Sequence, residues 1–184
     1  KKAVRVQIPI GLEDNFEGVV DLLRMKAYYF EGEMGNKVIE KEIPENLKAD
    51  AEKYHGELVE KIVEQDDVVM NAYLEGNVPD VGTLKKLLRK GVIANEIFPV
   101  FTGTALKNKG VQLVLDAVVD YLPSPTDIPP VKGINPDTEV EIERKASDAE
   151  PFSALAFKVA TDPFVGQLIF FRVYSGSLAA GSYI

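Results

Sequence analysis

The chain has 184 residues, a formal net charge of −8 and 46% hydrophobic residues, an ordinary composition for a globular protein of one domain or two small ones. The acidic balance argues against a nucleic-acid grip by bulk electrostatics, although a local basic patch is compatible with it. Cysteine is absent, which removes disulfides and thiolate metal sites and is compatible with a reducing compartment. No run is apolar for long enough to cross a membrane as a helix, and Lys1 to Ile10 does not read as a signal peptide.

In chain order, Val4, Val6, Ile8 and Ile10 alternate with polar or proline residues, the period of a strand. Gly11 to Asn15 reads as a loop and Phe16 to Leu23 as a second strand. Met25 to Phe30 and Lys37 to Ile43 flank a glycine-containing segment, Glu31 to Asn36, as the arms of a hairpin. Pro44 opens a helix, a position that tolerates proline. Leu47, Ala51, Tyr54, Leu58 and Ile62 recur there at helical spacing, on an otherwise acidic and lysine-rich surface. Gln65-Asp66-Asp67 is placed to kink or restart this helix before Val68 to Leu74. Leu84, Leu87 and Leu88 predict a short helix that Gly91 stops.

An apolar run, Ile97 to Phe101, then meets a turn, Thr102 to Gly110, and a strongly apolar helix, Val111 to Leu122. A buried parallel strand feeding a helix through such a turn is where open α/β sheets place ligands. Gln112, Asp116 and Asp120 form one polar stripe, so this helix is expected to be buried around most of its circumference. Six of the eleven prolines lie between Pro123 and Pro151, which marks a linker or covering segment. Phe152 to Val159, Gln167 to Tyr174 and Ser182 onward read as strands. Mixed helices and strands followed by strands alone suggest two domains. Both termini read as interrupted strand patterns, so the chain is expected to be an internal piece of something larger.

Little of this carries catalysis. His55 is the only histidine and has no recognisable partner, so it reads as an ordinary helix residue. Glu57, Glu60 and Glu64 crowd one helix beside Lys53 and Lys61, as a solvated face or as an acidic docking surface for a protein. No phosphate-binding loop of the Gly-x-x-x-x-Gly-Lys-Ser/Thr type is present, and Asn36-Lys37 and Asn108-Lys109 do not continue to the Asp that would read a guanine edge. Gly103-Thr104-Ala105-Leu106 remains. Its backbone amides suit a base carbonyl, yet a capped helix start explains the same letters.

Several blocks in register carry a resemblance. Thr104 to Gln112, Leu115 to Val118 and Asp120 to Pro125 resemble the end of the GTPase domain of bacterial elongation factor G. Gln7 to Gly11, Asp21 to Ala27, Phe152 to Lys158, Thr161 to Gly166 and Arg172 to Gly176 are similar to the same family, so the match spans essentially the whole chain. The resemblance implies an α/β insert subdomain over 1–95 and the last β-α unit of a P-loop GTPase domain over 96–122. A linker over 123–151 and the first strands of a truncated β-barrel over 152–184 would follow. It implies that Thr104, Ala105 and Leu106 stand where the family has its Ser-Ala-Leu motif, donating backbone N–H groups to the guanine carbonyl. The other four nucleotide motifs would lie upstream of Lys1, so no catalytic or metal-binding residue is assigned.

The parent would be a cytoplasmic GTPase of ribosomal translocation and recycling that uses GTP or GDP with Mg. The fragment alone is expected to bind no cofactor, to be inactive, and to touch neither membrane nor nucleic acid directly. The resemblance also implies that the insert meets the ribosomal stalk protein, for which Glu57, Glu60 and Glu64 are the candidates. Two alternatives stand beside it. One is a related translational GTPase of the release-factor or ribosome-protection type, in which shorter inserts are typical. The other is a non-catalytic α/β docking module.

Overall fold

A computed structural model describes residues 2–183. The chain is a mixed α/β protein that divides into two units, Lys1–Leu122 and Pro123–Ile184. A single boundary thus separates them, and residues 96–122 belong to the same unit as the expected insert.

In the first unit the alternating segment Val4 to Ile10 is two strands rather than one. Strand β1 (Ala3–Arg5) pairs in parallel with β6 (Phe98–Val100), and β2 (Gln7–Ile10) begins a second sheet. Val6 joins them: its N–H donates to the Val100 carbonyl (3.1 Å) and its carbonyl accepts from the Leu22 N–H (3.0 Å). The second sheet is an antiparallel meander, β2-β3-β4-β5, with β3 Gly18–Asp21, β4 Lys26–Glu31 and β5 Lys37–Lys41. Pro9 has no N–H to give, and it sits on β2, an edge strand. The expected hairpin is β4–β5, and a short 3-10 turn, Glu33–Gly35, forms its tip.

Helix α1 (Glu45–Val63) buries Ala51, Leu58 and Ile62 from the predicted stripe, together with Val59 and Val63, and Leu47 and Tyr54 pack partly against them. Asp66 is the reason the helix restarts. Its carboxylate accepts from the N–H groups of Val68 (3.1 Å) and Val69 (3.2 Å), capping α2 (Asp67–Leu74). Helix α3 (Val81–Ile93) runs two residues past Gly91, contrary to the expected stop. Glycine serves packing at that point: a Cβ there would lie 2.7 Å from Ile97 Cδ1. Leu84, Leu87 and Leu88 enter the main core beside Leu58, Ile62 and Ile97.

His55 Nδ1 lies 2.6 Å from the carbonyl oxygen of Leu22, a fully buried residue of the β3–β4 connection. The histidine therefore ties α1 to the sheet. Removing it leaves a buried carbonyl without that partner, so His55→Ala is expected to lower stability by about 1–2 kcal/mol in urea denaturation. An unchanged midpoint would contradict this tie.

In the second unit, the stretch read as a linker contains a hairpin of β7 (Val131–Ile134) and β8 (Glu141–Arg144). The longer hairpin is β9 (Ser153–Asp162) with β10 (Gly166–Ser175), close to the predicted strands. The strand expected from Ser182 onward does not form over Ser182 and Tyr183, and Ile184 lies outside the described residues. A strand needs a ladder partner, and none is present for that segment among the described residues. No apolar side chain described in the second unit is buried.

Candidate nucleotide-facing turn

Strand β6 delivers the chain to the turn, and α4 (Val111–Tyr121) carries it away. Two glycines allow the turn to close. Gly110 has φ +89, and a Cβ on it would lie 2.8 Å from the Thr102 carbonyl oxygen. At Gly103 a Cβ would approach the Lys109 carbonyl oxygen just as closely, at 2.8 Å. Thr104 and Lys109 pair across the turn through both backbone hydrogen bonds, 2.8 and 3.1 Å, and the Asn108 N–H donates to the Ala105 carbonyl.

This pairing separates the three predicted donors. The Thr104 amide is committed to Lys109. The Ala105 and Leu106 amides have no hydrogen-bond acceptor among the described residues, and both residues are exposed, Leu106 by 86%. The turn can therefore offer two adjacent backbone donors to an acceptor on a ligand. Thr102 Oγ1, on the first residue of the turn, is buried without a partner among the described residues.

Helix α4 is oriented differently from the expectation. Gln112 and Asp120 of its polar stripe are turned toward the protein, while Asp116 between them is exposed. Asp120 pairs with Lys85, the Asp120 carbonyl accepts from Arg89 (2.9 Å), and Gln112 Nε2 donates to the Gly35 carbonyl (2.9 Å). Ala117 and Tyr121 are the residues of α4 that are buried, while Leu115 and Val119 are 60% and 79% exposed, and Val114, Val118 and Leu122 are exposed beside them. Phe98 and Val100 of β6 are exposed as well, so the strand that feeds the turn is paired but not covered. An apolar helix stripe normally faces a core. Here the described residues do not supply one for it.

Behind α4 a cavity of about 20 Å³ is lined by Gln7, Asp21, Arg24, Asp116, Asp120 and Tyr121 among others. Burial, with the negative charges of Asp120 and Asp21, pushes the Tyr121 hydroxyl far above the usual tyrosine range. Burial pulls the Arg24 guanidinium down, but its pairing with Asp21 (2.9 Å) outweighs that and leaves it raised. Tyr121 and Arg24 therefore both keep their protons near neutral pH. No cluster of three metal-ligating side chains occurs among the described residues.

The three predicted docking carboxylates are on one exposed stripe of α1. Glu57, Glu60 and Glu64 line a surface groove with Arg5 and Tyr54. Arg5 stacks 3.8 Å from the Tyr54 ring centroid, and Lys61 pairs with Glu64 at 2.6 Å, so the stripe is partly neutralised where it stands. Sequence reading missed the groups that hold the turn, namely Asn108, Lys109 and Gln112, because their acceptors are backbone carbonyls that leave no mark in the sequence.

Compared with known proteins, the chain matches no protein-family model. Its fold is shared with a solved structure. The crystal structure of a protein from Thermus thermophilus superposes on 98% of the chain with a TM-score of 0.72 and 26% sequence identity. The chain spans 24% of the length of that protein. No helix among the described residues is long and apolar enough to cross a membrane.

Proposed function

We propose that this chain is part of an elongation factor G-like translational GTPase: the insert of the nucleotide-binding domain, the last strand and helix of that domain, and the opening strands of a β-barrel. The observation that carries the reading is the uncovered face of β6 and α4. Phe98, Val100, Leu115, Val118 and Val119 are exposed on the two elements that flank the turn, and a P-loop domain supplies a sheet and helices to cover such a face. The second unit supports the same reading. Its two hairpins bury no apolar side chain, as expected of barrel strands separated from their barrel.

Within this reading the turn meets the base. Ala105 and Leu106 present their amides to the guanine carbonyl oxygen, and Thr104 closes the turn behind them. Gly103 and Gly110 keep Cβ atoms out of the crossing. The residues present fit the guanine end of GTP or GDP. Magnesium and the phosphates need motifs that this sequence does not contain, so no hydrolytic step is assigned to these residues. The exposed carboxylates Glu57, Glu60 and Glu64 are the surface through which the insert meets the ribosomal stalk protein.

The test is GTP turnover by the longer protein that this reading implies. Ribosomes are expected to stimulate turnover, and Glu60→Lys with Glu64→Lys is expected to weaken both stalk binding and that stimulation. Turnover indifferent to ribosomes would remove the translational reading. Stimulation and stalk binding that survive the charge reversal would remove the docking assignment.

A further inference from the structure

We propose that the tip of the β4–β5 hairpin, together with the Phe16 carbonyl between β2 and β3, is a positioning device for the nucleotide-facing turn, with Asn108 and Gln112 anchored on the tip and Lys109 on Phe16. The proposal rests on the guanine-binding reading above. Three side chains reach from the turn and the first residues of α4 into the insert, and each ends on a main-chain carbonyl. Asn108 Nδ2 donates to Met34 O (2.9 Å), Gln112 Nε2 to Gly35 O (2.9 Å) and Lys109 Nζ to Phe16 O (3.2 Å). In sequence these contacts bridge 74, 77 and 93 residues.

The surroundings are shaped for this contact. Gly35 is buried at φ +57, and a Cβ on it would lie 3.0 Å from the Asn108 carbonyl oxygen and 3.3 Å from that of Lys107. Met34 and Asn108 both adopt positive φ, 52° and 50°, a conformation uncommon for residues other than glycine. Strain of this kind persists where the surrounding contacts over-determine it. Leu113 of α4 packs on the cluster of Phe16, Val19, Tyr28 and Phe30, on the same side as the hairpin. Lys107 adds an exposed ion pair to Asp14 at 3.5 Å.

The consequence follows from the turn's own bonding. Among the described residues, only the Thr104–Lys109 pair and the Asn108–Ala105 bond hold the backbone on the side of the open amides. The orientation of the Ala105 and Leu106 N–H groups is then set by where Asn108 and Lys109 are anchored, and that anchor is the hairpin tip and the Phe16 carbonyl. Preorganised donors bind an acceptor better than donors that must be ordered on binding. A force or partner that moves the hairpin would therefore alter nucleotide affinity without touching the nucleotide.

The experiment uses the full-length protein, with GDP and ADP as probes and hydrogen exchange as a second readout. Asn108→Asp with Gln112→Glu is nearly isosteric and turns both amide donors into acceptors that face carbonyls. Its GDP affinity is expected to fall about tenfold, with faster amide exchange over 104–109, unchanged protection of α1 and a smaller preference for GDP over ADP. Equal GDP affinity in wild type and variant overturns the proposal. Should the double variant lose protection throughout α1, Lys109 decides instead. Lys109→Met is then expected to weaken GDP binding while Lys109→Arg retains it, and equal affinity of the two overturns the proposal. If the wild-type protein binds no GDP, the underlying guanine-binding reading is what fails.

Discussion

Leu88→Ala is expected to lower the unfolding free energy by about 3–4 kcal/mol, seen as a lower urea midpoint at unchanged slope. Leu88 is fully buried in the main core with Leu58, Ile62, Leu84 and Ile97. Its loss removes the transfer free energy of the side chain and leaves a cavity between α1 and α3 that rigid neighbours cannot fill. Ile97 is already confined by Gly91, where a Cβ would come within 2.7 Å of it. The predicted loss is a large part of the roughly 5–15 kcal/mol that holds an ordinary domain folded. A loss under about 1 kcal/mol would mean that this core is not closed in solution.

The second large effect depends on which molecule is measured. Leu115→Gln with Val119→Gln places two amides on the exposed face of α4. In the 184-residue chain both positions face solvent, and glutamine is a good helix former, so the change is expected to stay within about 0.5 kcal/mol. In the longer protein the same face is proposed to be interior. There the double substitution removes two apolar side chains from a core and buries two polar groups, at a cost of roughly 4–6 kcal/mol. Equal effects in the two molecules would mean that nothing covers this face in the longer protein.

Those two experiments also separate what was legible in the sequence from what was not. The α1 stripe was legible, because helical spacing and a mostly polar remainder leave one face to bury, and Ala51, Leu58 and Ile62 are buried on it. The β4–β5 hairpin was legible from its two strand runs and the glycines between them. Where β1 gives way to β2 was not, because Val4 to Ile10 keeps one unbroken alternation while the chain changes sheets at Val6. Alternation reports which side chains share a face and says nothing of which strand the backbone pairs with.

Helix α4 shows the other limit. A polar stripe on an apolar helix predicts the side that water sees only if the rest of the helix finds a core within the same chain. In α4 the side chains of Asp120 and Gln112 are spent on Lys85 and the Gly35 carbonyl, Asp116 is exposed, and the apolar side is left open. The turn falls between these cases. Gly103 and Gly110 marked it, but the commitment of the Thr104 amide to Lys109 is a backbone pairing that residue types do not reveal.

This chain is proposed to hold one corner of a guanine-nucleotide site whose phosphate-handling parts are supplied by other residues of a longer protein. Paired calorimetric titrations of GDP test it most directly. The longer protein is expected to bind GDP with micromolar or tighter affinity and to prefer it to ADP, while the 184-residue chain shows no tight binding. A longer protein that fails to bind GDP, or an isolated chain that binds it at micromolar concentration, would contradict the account.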